Sequence, residues 1–283
     1  LSFELYAGLC RQKRLQIKMP ESVPANVSAS FSALFPTILT VTIIATVGFA
    51  IKAITGMYAY DIIYNIVQKP LEGIVQGLPG ILLLMFIAQV FWVIGIHGNQ
   101  MVKPIREPLL LAAIAVNTEA FEAGKEVPNI ITMPFWDMYM SMGGSGVTIG
   151  LLIAILIAGK REDMRQITKL SLAPGIFNIN EPVIFGMPIV LNPIYIIPWL
   201  IVPPICAAIA LGFTMAGIIP PVFVQVPWVM PVGIYAFMGT GGNILAALVS
   251  ILCLGVSFVL WTPFVMLANR MQAKENEGQF DTE

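Results

Sequence analysis

The chain is 283 residues long, 57% apolar and 11% charged, with a formal net charge of −1 and a mean hydropathy of +0.84. A soluble domain carries about 25% charged residues, so this chain cannot cover its surface with polar groups, and its solvent is a bilayer. The near-zero net charge excludes nucleic acid as a partner, because no basic face is available to neutralise phosphates.

The chain opens on Leu1 with no secretory leader visible, and it reads as the later part of a longer membrane protein. Residues 1–18 carry Arg11, Lys13, Arg14 and Lys18, a cluster suited to the cytoplasmic face. The Pro- and Ser-marked stretch 19–30 predicts a loop, which closes a first segment over 1–30.

A helix needs about 20 mostly apolar residues to cross a bilayer. Stretches of that kind occur at 31–51, 78–96, 193–217 and 242–268, with a shorter one at 146–159. Residues 58–69, with Tyr58, Tyr60 and Tyr64, suggest a short interfacial helix. Residues 104–145 leave two possibilities open, a second hairpin or a split span. Lys160, Arg161, Arg165 and Lys169 mark one inside anchor, and Arg270 with Lys274 mark another. Two crossings fit between these anchors, so 171–192 must enter and leave on one side. Pro174, Pro182, Pro188 and Pro193 break it, and it reads as a re-entrant hairpin lining a cavity. The expected fold is an all-α membrane protein. In it, transmembrane helices and re-entrant hairpins over 31–270 build a substrate-binding transport domain, followed by a cytoplasmic tail over 271–283.

Two polar islands interrupt the apolar runs. Between Lys169 and Arg270, Glu181 is the sole charged residue, set in GIFNINEPVIFGMP beside Asn178 and Asn180. A carboxylate at membrane depth either satisfies backbone freed by a broken helix or faces a pathway, where it can act as a general base. The second island is WVIGIHGNQ at 92–100. His97 is the only histidine in the chain, Gly95 and Gly98 permit a turn or close approach to a ligand, and Asn99 and Gln100 extend the polar cluster. Broken helices in transporters hold substrate near the midplane. Amides, one acid, one imidazole and tryptophans suit a neutral polyol. Trp92, Trp136 and Trp228 are the candidate faces for a sugar ring, with interface anchoring as the alternative for each.

Other chemistries find less support. MGGSGVTIG at 142–150 lacks the Gly-Lys-Ser/Thr ending of a nucleotide-binding loop, so it reads as a close-packing segment or hinge. Repeated acids or carbonyl rings, as in an ion filter, are not evident. Cys10, Cys206 and Cys253 are widely spaced and read as small hydrophobes rather than a metal site, and no cofactor is expected.

Trp92 to His97-Gly98-Asn99, followed by the run from Asn178 through Glu181 to Pro188, resembles the membrane subunit (enzyme IIC) of the lactose/cellobiose/diacetylchitobiose class of bacterial phosphotransferase systems. IKMPESVPANVSASF and LNPIYIIPW share the likeness, which runs through nearly the whole chain but leaves out the family's amino-terminal membrane part. The resemblance implies a homodimeric permease of the bacterial cytoplasmic membrane, surrounded by lipid, that imports a disaccharide and releases it as the 6-phosphate. Glu181 and His97 then stand at the hydroxyl that accepts phosphate, with Trp92, Gly98, Asn99, Asn178, Asn180 and Trp228 around the sugar. The phosphoryl donor is a phosphocysteine of an enzyme IIB on another chain. Cellobiose and diacetylchitobiose are the expected substrates, ahead of lactose. The competing reading is a proton-coupled sugar symporter with Glu181 and His97 as a relay.

Overall fold

Lipid offers no hydrogen bonds to a chain's N–H and C=O groups, so a membrane-crossing segment must satisfy its own, as a helix does. The computed structural model describes residues 2–17, 20, 25–63, 65–66 and 77–280, and every regular element among them is helical. The chain divides into two units, Leu1–Pro70 and Leu71–Glu283.

The first unit holds α1 (Ser2–Cys10), a 3-10 turn at Lys13–Leu15, α2 (Ala25–Ser32), α3 (Leu34–Thr55) and α4 (Ala59–Ile63). Both α1 and α2 pack on α3. Gly56, at φ 75°, stops α3 by donating its N–H to the Lys52 carbonyl. The expected span at 31–51 lies inside an apolar stretch from Ser28 to Thr55, whose Val47 and Phe49 side chains are exposed. Where a loop was expected over 19–30, residues 25–32 are helical, because no breaker follows Pro24. The interfacial helix over 58–69 is observed as Ala59–Ile63. Tyr64 and residues 67–69 lie outside the described residues, as do Lys18 of the basic cluster and the loop positions 19 and 21–24.

In the second unit, α5 (Leu78–Val93) is followed by α6 (Gly98–Glu122) and by α7 (Met133–Phe135), which runs on as a π-helical turn, Trp136–Met140. A 3-10 turn at Ser145–Val147 leads into α8 (Thr148–Ala158). Then come α9 (Glu162–Ile176), α10 (Glu181–Gly186), α11 (Pro193–Met215), α12 (Ile234–Gly239) and α13 (Ile244–Phe280). The helix pairs α8–α13, α11–α13, α5–α6 and α8–α9 pack together. Trp136, Trp199, Trp261, Tyr139, Tyr195 and Tyr235 fill the centre.

The expected apolar stretches are helical. Pro193–Met215 and Ile244–Ala273 are long and apolar enough to cross, and 78–96 is the 16-residue α5. The short stretch at 146–159 is the second half of a 26-residue apolar segment, Met133–Ala158. Residues 104–145 therefore resolve into the polar helix α6 and the first half of a split span. Beyond Arg270, α13 continues as helix through Phe280, and 281–283 lie outside the described residues.

Breaks in these helices free backbone groups, and neighbours satisfy them. Pro203 has no N–H to give the Trp199 carbonyl one turn before it, and Gln89 on α5 donates there instead, at 3.3 Å. In the break before α8, Trp261 Nε1 donates to the Gly146 carbonyl at 3.2 Å and Ser257 Oγ to that of Val147 at 3.2 Å. The Gly-rich stretch is thus a packing break. A Cβ on Gly146 would stand 2.5 Å from the Trp199 ring.

Candidate functional site

The two islands of the sequence meet in space. α5 ends at Val93, the chain turns through Gly95 at φ 82°, and His97 becomes the N-cap of α6. On the other side, α9 ends at Ile176, and Asn178 reverses the chain at φ 65°, a conformation Asn tolerates better than most residues. Asn180 is the N-cap of α10, its carbonyl accepting from Val183 and Ile184 at 3.0 Å each. Glu181 opens the first turn, where a carboxylate complements the helix dipole and Pro182 leaves no orphan donor. A backbone bond from Leu191 N–H, just past the second island, to the Val93 carbonyl in the first ties the two segments at 2.9 Å.

His97 Nε2 lies 3.5 Å from Glu181 Oε1, and both side chains are half-exposed, at 38% and 47%. That separation is longer than an ordinary hydrogen bond, and it lets one hydroxyl be held by both groups. They line a cavity of about 640 Å³, which is in the range of small-ligand sites. Several residues that line it also carry a buried polar atom with no protein partner: Trp92 Nε1, His97 Nδ1, Asn99 Oδ1, Arg106 Nε, Ser141 Oγ and Ser145 Oγ.

The predicted site residues take different parts. The Trp92 indole is buried, with its ring centre 4.3 Å from that of His97; it backs the imidazole and offers little open face. Trp228 is 53% exposed on the cavity's wall and is the open aromatic surface. Asn99 lines the cavity. Asn178 also lines it, but its amide is committed to backbone. Its Oδ1 accepts from Gly143 N–H at 2.8 Å, and its Nδ2 donates to the carbonyls of Trp228 and Met230 at 2.6 and 2.9 Å. Asn180 is buried and donates to the Ser145 carbonyl at 2.9 Å. Gly144, at φ 96°, makes room for it, since a Cβ there would come within 2.3 Å of the Asn180 side chain. Gly98 is not on the cavity wall. It lets α6 pack on α5, because a Cβ at that position would fall 1.8 Å from the Ala88 carbonyl oxygen. Trp136 is fully buried and faces no ligand.

Sequence reasoning passed over Lys103, Arg106, Glu107 and Asp137, all of which line the cavity. The signal was there: from the N-cap at 97, positions 100, 103 and 107 recur at helical spacing. Asp137, like Glu181, is an acid in an apolar stretch. Lys103 Nζ pairs with Glu107 Oε2 at 3.4 Å. Tyr235 Oη stands 3.1 Å from Asp137 Oδ2 and 3.1 Å from the Val226 carbonyl, so one proton serves two acceptors. The loop carrying Gln225 and Trp228 is fastened to α6 by Asn117, which donates to the Val222 carbonyl at 2.6 Å, and by Thr118, which donates to that of Phe223 at 2.7 Å.

Residues 2–203 match the family model described as "Phosphotransferase system, EIIC". The chain is 39% identical over 280 residues to the oligo-beta-mannoside-specific EIIC component of Bacillus subtilis, covering 98% of this chain and 63% of that protein. It is 36% identical over 283 residues to the cellobiose-specific EIIC component of Lactococcus lactis, covering 92% and 57%. Among solved structures it resembles the transporter ChbC, the IIC component of the N,N'-diacetylchitobiose-specific phosphotransferase system. There the TM-score is 0.72 and the identity 34%, over 98% of this chain and 64% of that one. The chain thus spans less than two thirds of the length of each. With four helices among the described residues long and apolar enough to cross a membrane, it is a protein of the bacterial cytoplasmic membrane. The chain belongs to the EIIC family of the phosphotransferase system.

Proposed function

We propose that this chain forms the sugar-binding part of a group-translocating permease, which imports a β-linked disaccharide and presents its primary hydroxyl to the phosphocysteine of an enzyme IIB. The observation that carries the reading is the approach of His97 Nε2 to Glu181 Oε1, 3.5 Å apart on the wall of one cavity of about 640 Å³. The similarity to EIIC components named for oligo-β-mannoside, cellobiose and diacetylchitobiose supports a β-disaccharide, with cellobiose and diacetylchitobiose as the leading candidates.

In this reading one sugar ring sits against Trp228, and its primary hydroxyl lies between His97 and Glu181. Glu181 takes the hydroxyl proton as the oxygen attacks phosphorus. The S–P bond of the phosphocysteine breaks, and the thiolate leaves and is later reprotonated. His97 offsets charge on the transferred group. Such a step depends on positioning and charge stabilisation more than on covalent chemistry. Asn178 and Asn180 act through the backbone they hold, keeping the turn that carries Glu181 in place. Two copies of the permease form a homodimer in the lipid, and the hairpin about Glu181 enters and leaves the bilayer on the cytoplasmic side.

The test is sugar phosphorylation by phosphorylated enzyme IIB in membrane vesicles. Glu181→Gln should abolish product while sugar still binds. Full activity in Glu181→Gln with loss in His97→Gln would exchange the two roles. A proton-coupled symporter is not favoured; it would deliver free sugar and stop when an uncoupler is added, whereas group translocation continues.

A further inference from the structure

A second cavity, of about 360 Å³, lies where the apolar stretches Met133–Ala158 and Ile244–Ala273 end and Pro193–Met215 begins. Lys160, Arg161, Arg165 and Arg270 gather at this end, against Glu162 and Asp163, and such a basic excess marks the cytoplasmic side. Asn269 on α13 fastens the turn between α8 and α9, accepting from Lys160 N–H at 3.0 Å and donating to the Ala158 carbonyl at 2.9 Å. The polar groups on the cavity's wall are Arg161, Asn192, Tyr195 and Gln272. Arg161 is gripped by Asp163, through Nε at 3.3 Å and Nη2 at 2.6 Å, which fixes the guanidinium. Asn192 Oδ1 caps α11 by accepting from Ile194 N–H at 3.0 Å and leaves Nδ2 without a partner. The half-buried Gln272 amide makes no hydrogen bond among the described residues. Tyr195 is only 1% exposed, yet its hydroxyl stays open to the cavity and bonds to no described residue. A buried tyrosine hydroxyl ordinarily has a partner.

We propose that this groove holds one anionic phospholipid, its phosphate received by Arg161, Asn192, Tyr195 and Gln272 and an acyl chain laid along α11. A phosphate diester only accepts hydrogen bonds, and all four side chains can donate. The rest of the wall is apolar: Ile194 and Met271 line it. The same helix faces run on at Ile197 and Ile201 of α11 and Leu267 of α13, each 40% exposed or more. A groove that continues into the outer faces of spanning helices opens to lipid, where a soluble partner cannot follow. Basic pockets between helices at the cytoplasmic face recognise anionic head groups in this way. The loop after α10 forms one wall. On its other side Val190 stands 3.4 Å from where a Cβ on Gly95 would fall, and Leu191 N–H bonds the Val93 carbonyl. A lipid seated in the groove therefore steadies the turn that carries His97.

The experiment adds phosphatidylglycerol, or phosphatidylcholine with the same acyl chains, to the purified intact protein in detergent and counts retained lipid by native mass spectrometry. One phosphatidylglycerol per chain should be kept, in preference to phosphatidylcholine, and it should raise the melting temperature by a few degrees. Tyr195→Phe with Gln272→Leu changes no charge and removes two donors, so retention should fall about fivefold. Lys169→Gln, outside the groove, should leave retention unchanged. If Tyr195→Phe does not fold, Asn192→Ser, which keeps a capping oxygen and loses Nδ2, carries the same comparison beside Gln272→Leu. Glycerol phosphate, the head group without chains, should not displace the lipid. Equal retention of the two lipids overturns the proposal, as does a preference that only the charge variant weakens. Displacement by glycerol phosphate overturns it in favour of a free-anion site. Retention of neither lipid overturns it too, with another segment of the protein filling the groove. No sugar enters the measurement, so none of these results touches the sugar-site reading.

Discussion

Leu191 N–H donates to the carbonyl oxygen of Val93 at 2.9 Å, and this backbone bond ties the loop after α10 to the last turn of α5. Val93 stands just before the turn that carries His97, and Leu191 follows the helix that Glu181 opens. Leu191 has a φ of 56°, which costs an L side chain about 1 kcal/mol. Leu191→Gly should relieve that strain and keep the bond, whereas Leu191→Pro should remove the donor and force φ negative. The expected result is a melting temperature for Leu191→Gly equal to or above that of the unmutated protein, with Leu191→Pro well below it and binding sugar poorly.

Gln89 offers a direct measure of how a proline-broken helix is repaired. Its Nε2 supplies the Trp199 carbonyl that Pro203 cannot reach. Gln89→Leu keeps the volume and strands a buried acceptor, at a cost of about 1–3 kcal/mol. Thermal unfolding in detergent, followed by Trp fluorescence, should shift down by several degrees, with sugar affinity in the surviving folded fraction unchanged.

Asn178 separates backbone strain from side-chain tethering. Asn178→Ala loses three hydrogen bonds and places an alanine at φ 65°. Asn178→Gly loses the same bonds without the strain. Both variants should be less stable than the parent, and the alanine should be worse by about 1 kcal/mol, as read from paired unfolding curves.

Gly98 and Trp228 should fail in opposite ways. Gly98→Ala drives a methyl into the Ala88 carbonyl at 1.8 Å, so α6 must shift on α5. Overpacking of this kind costs about 1–3 kcal/mol or more, and the variant should show a low melting temperature or poor recovery. Trp228→Ala removes a half-exposed ring and should leave the melting temperature within a degree or two while weakening disaccharide binding about tenfold.

Much of this molecule was legible in one dimension because lipid simplifies the physics. A stretch such as 193–217 has few ways to be stable except as a spanning helix. A single acid in a hundred apolar positions announces itself by its solvation cost. Hence the helical class was readable from composition, and the breaks pointed to Glu181 and His97, which the fold brings together on one cavity wall. The family likeness lay in those same breaks.

Other assignments needed the third dimension. Asn178 and Asn180 looked like ligand amides, and only the packing showed the whole Asn178 amide bonded to the backbone of residues 143, 228 and 230 and the Asn180 Nδ2 to that of residue 145, with both residues still lining the cavity. Gly98 looked like a place for ligand to approach, yet it is Ala88 that approaches. Arg106 and Asp137 lie thirty-one positions apart in the chain, and nothing local joins them until α6 lays one beside the turn that holds the other. Solvation cost is a property of each residue and its neighbours in sequence. Which polar groups are left free to meet a ligand depends on what every other chain segment has already claimed, and that is decided only when the helices pack.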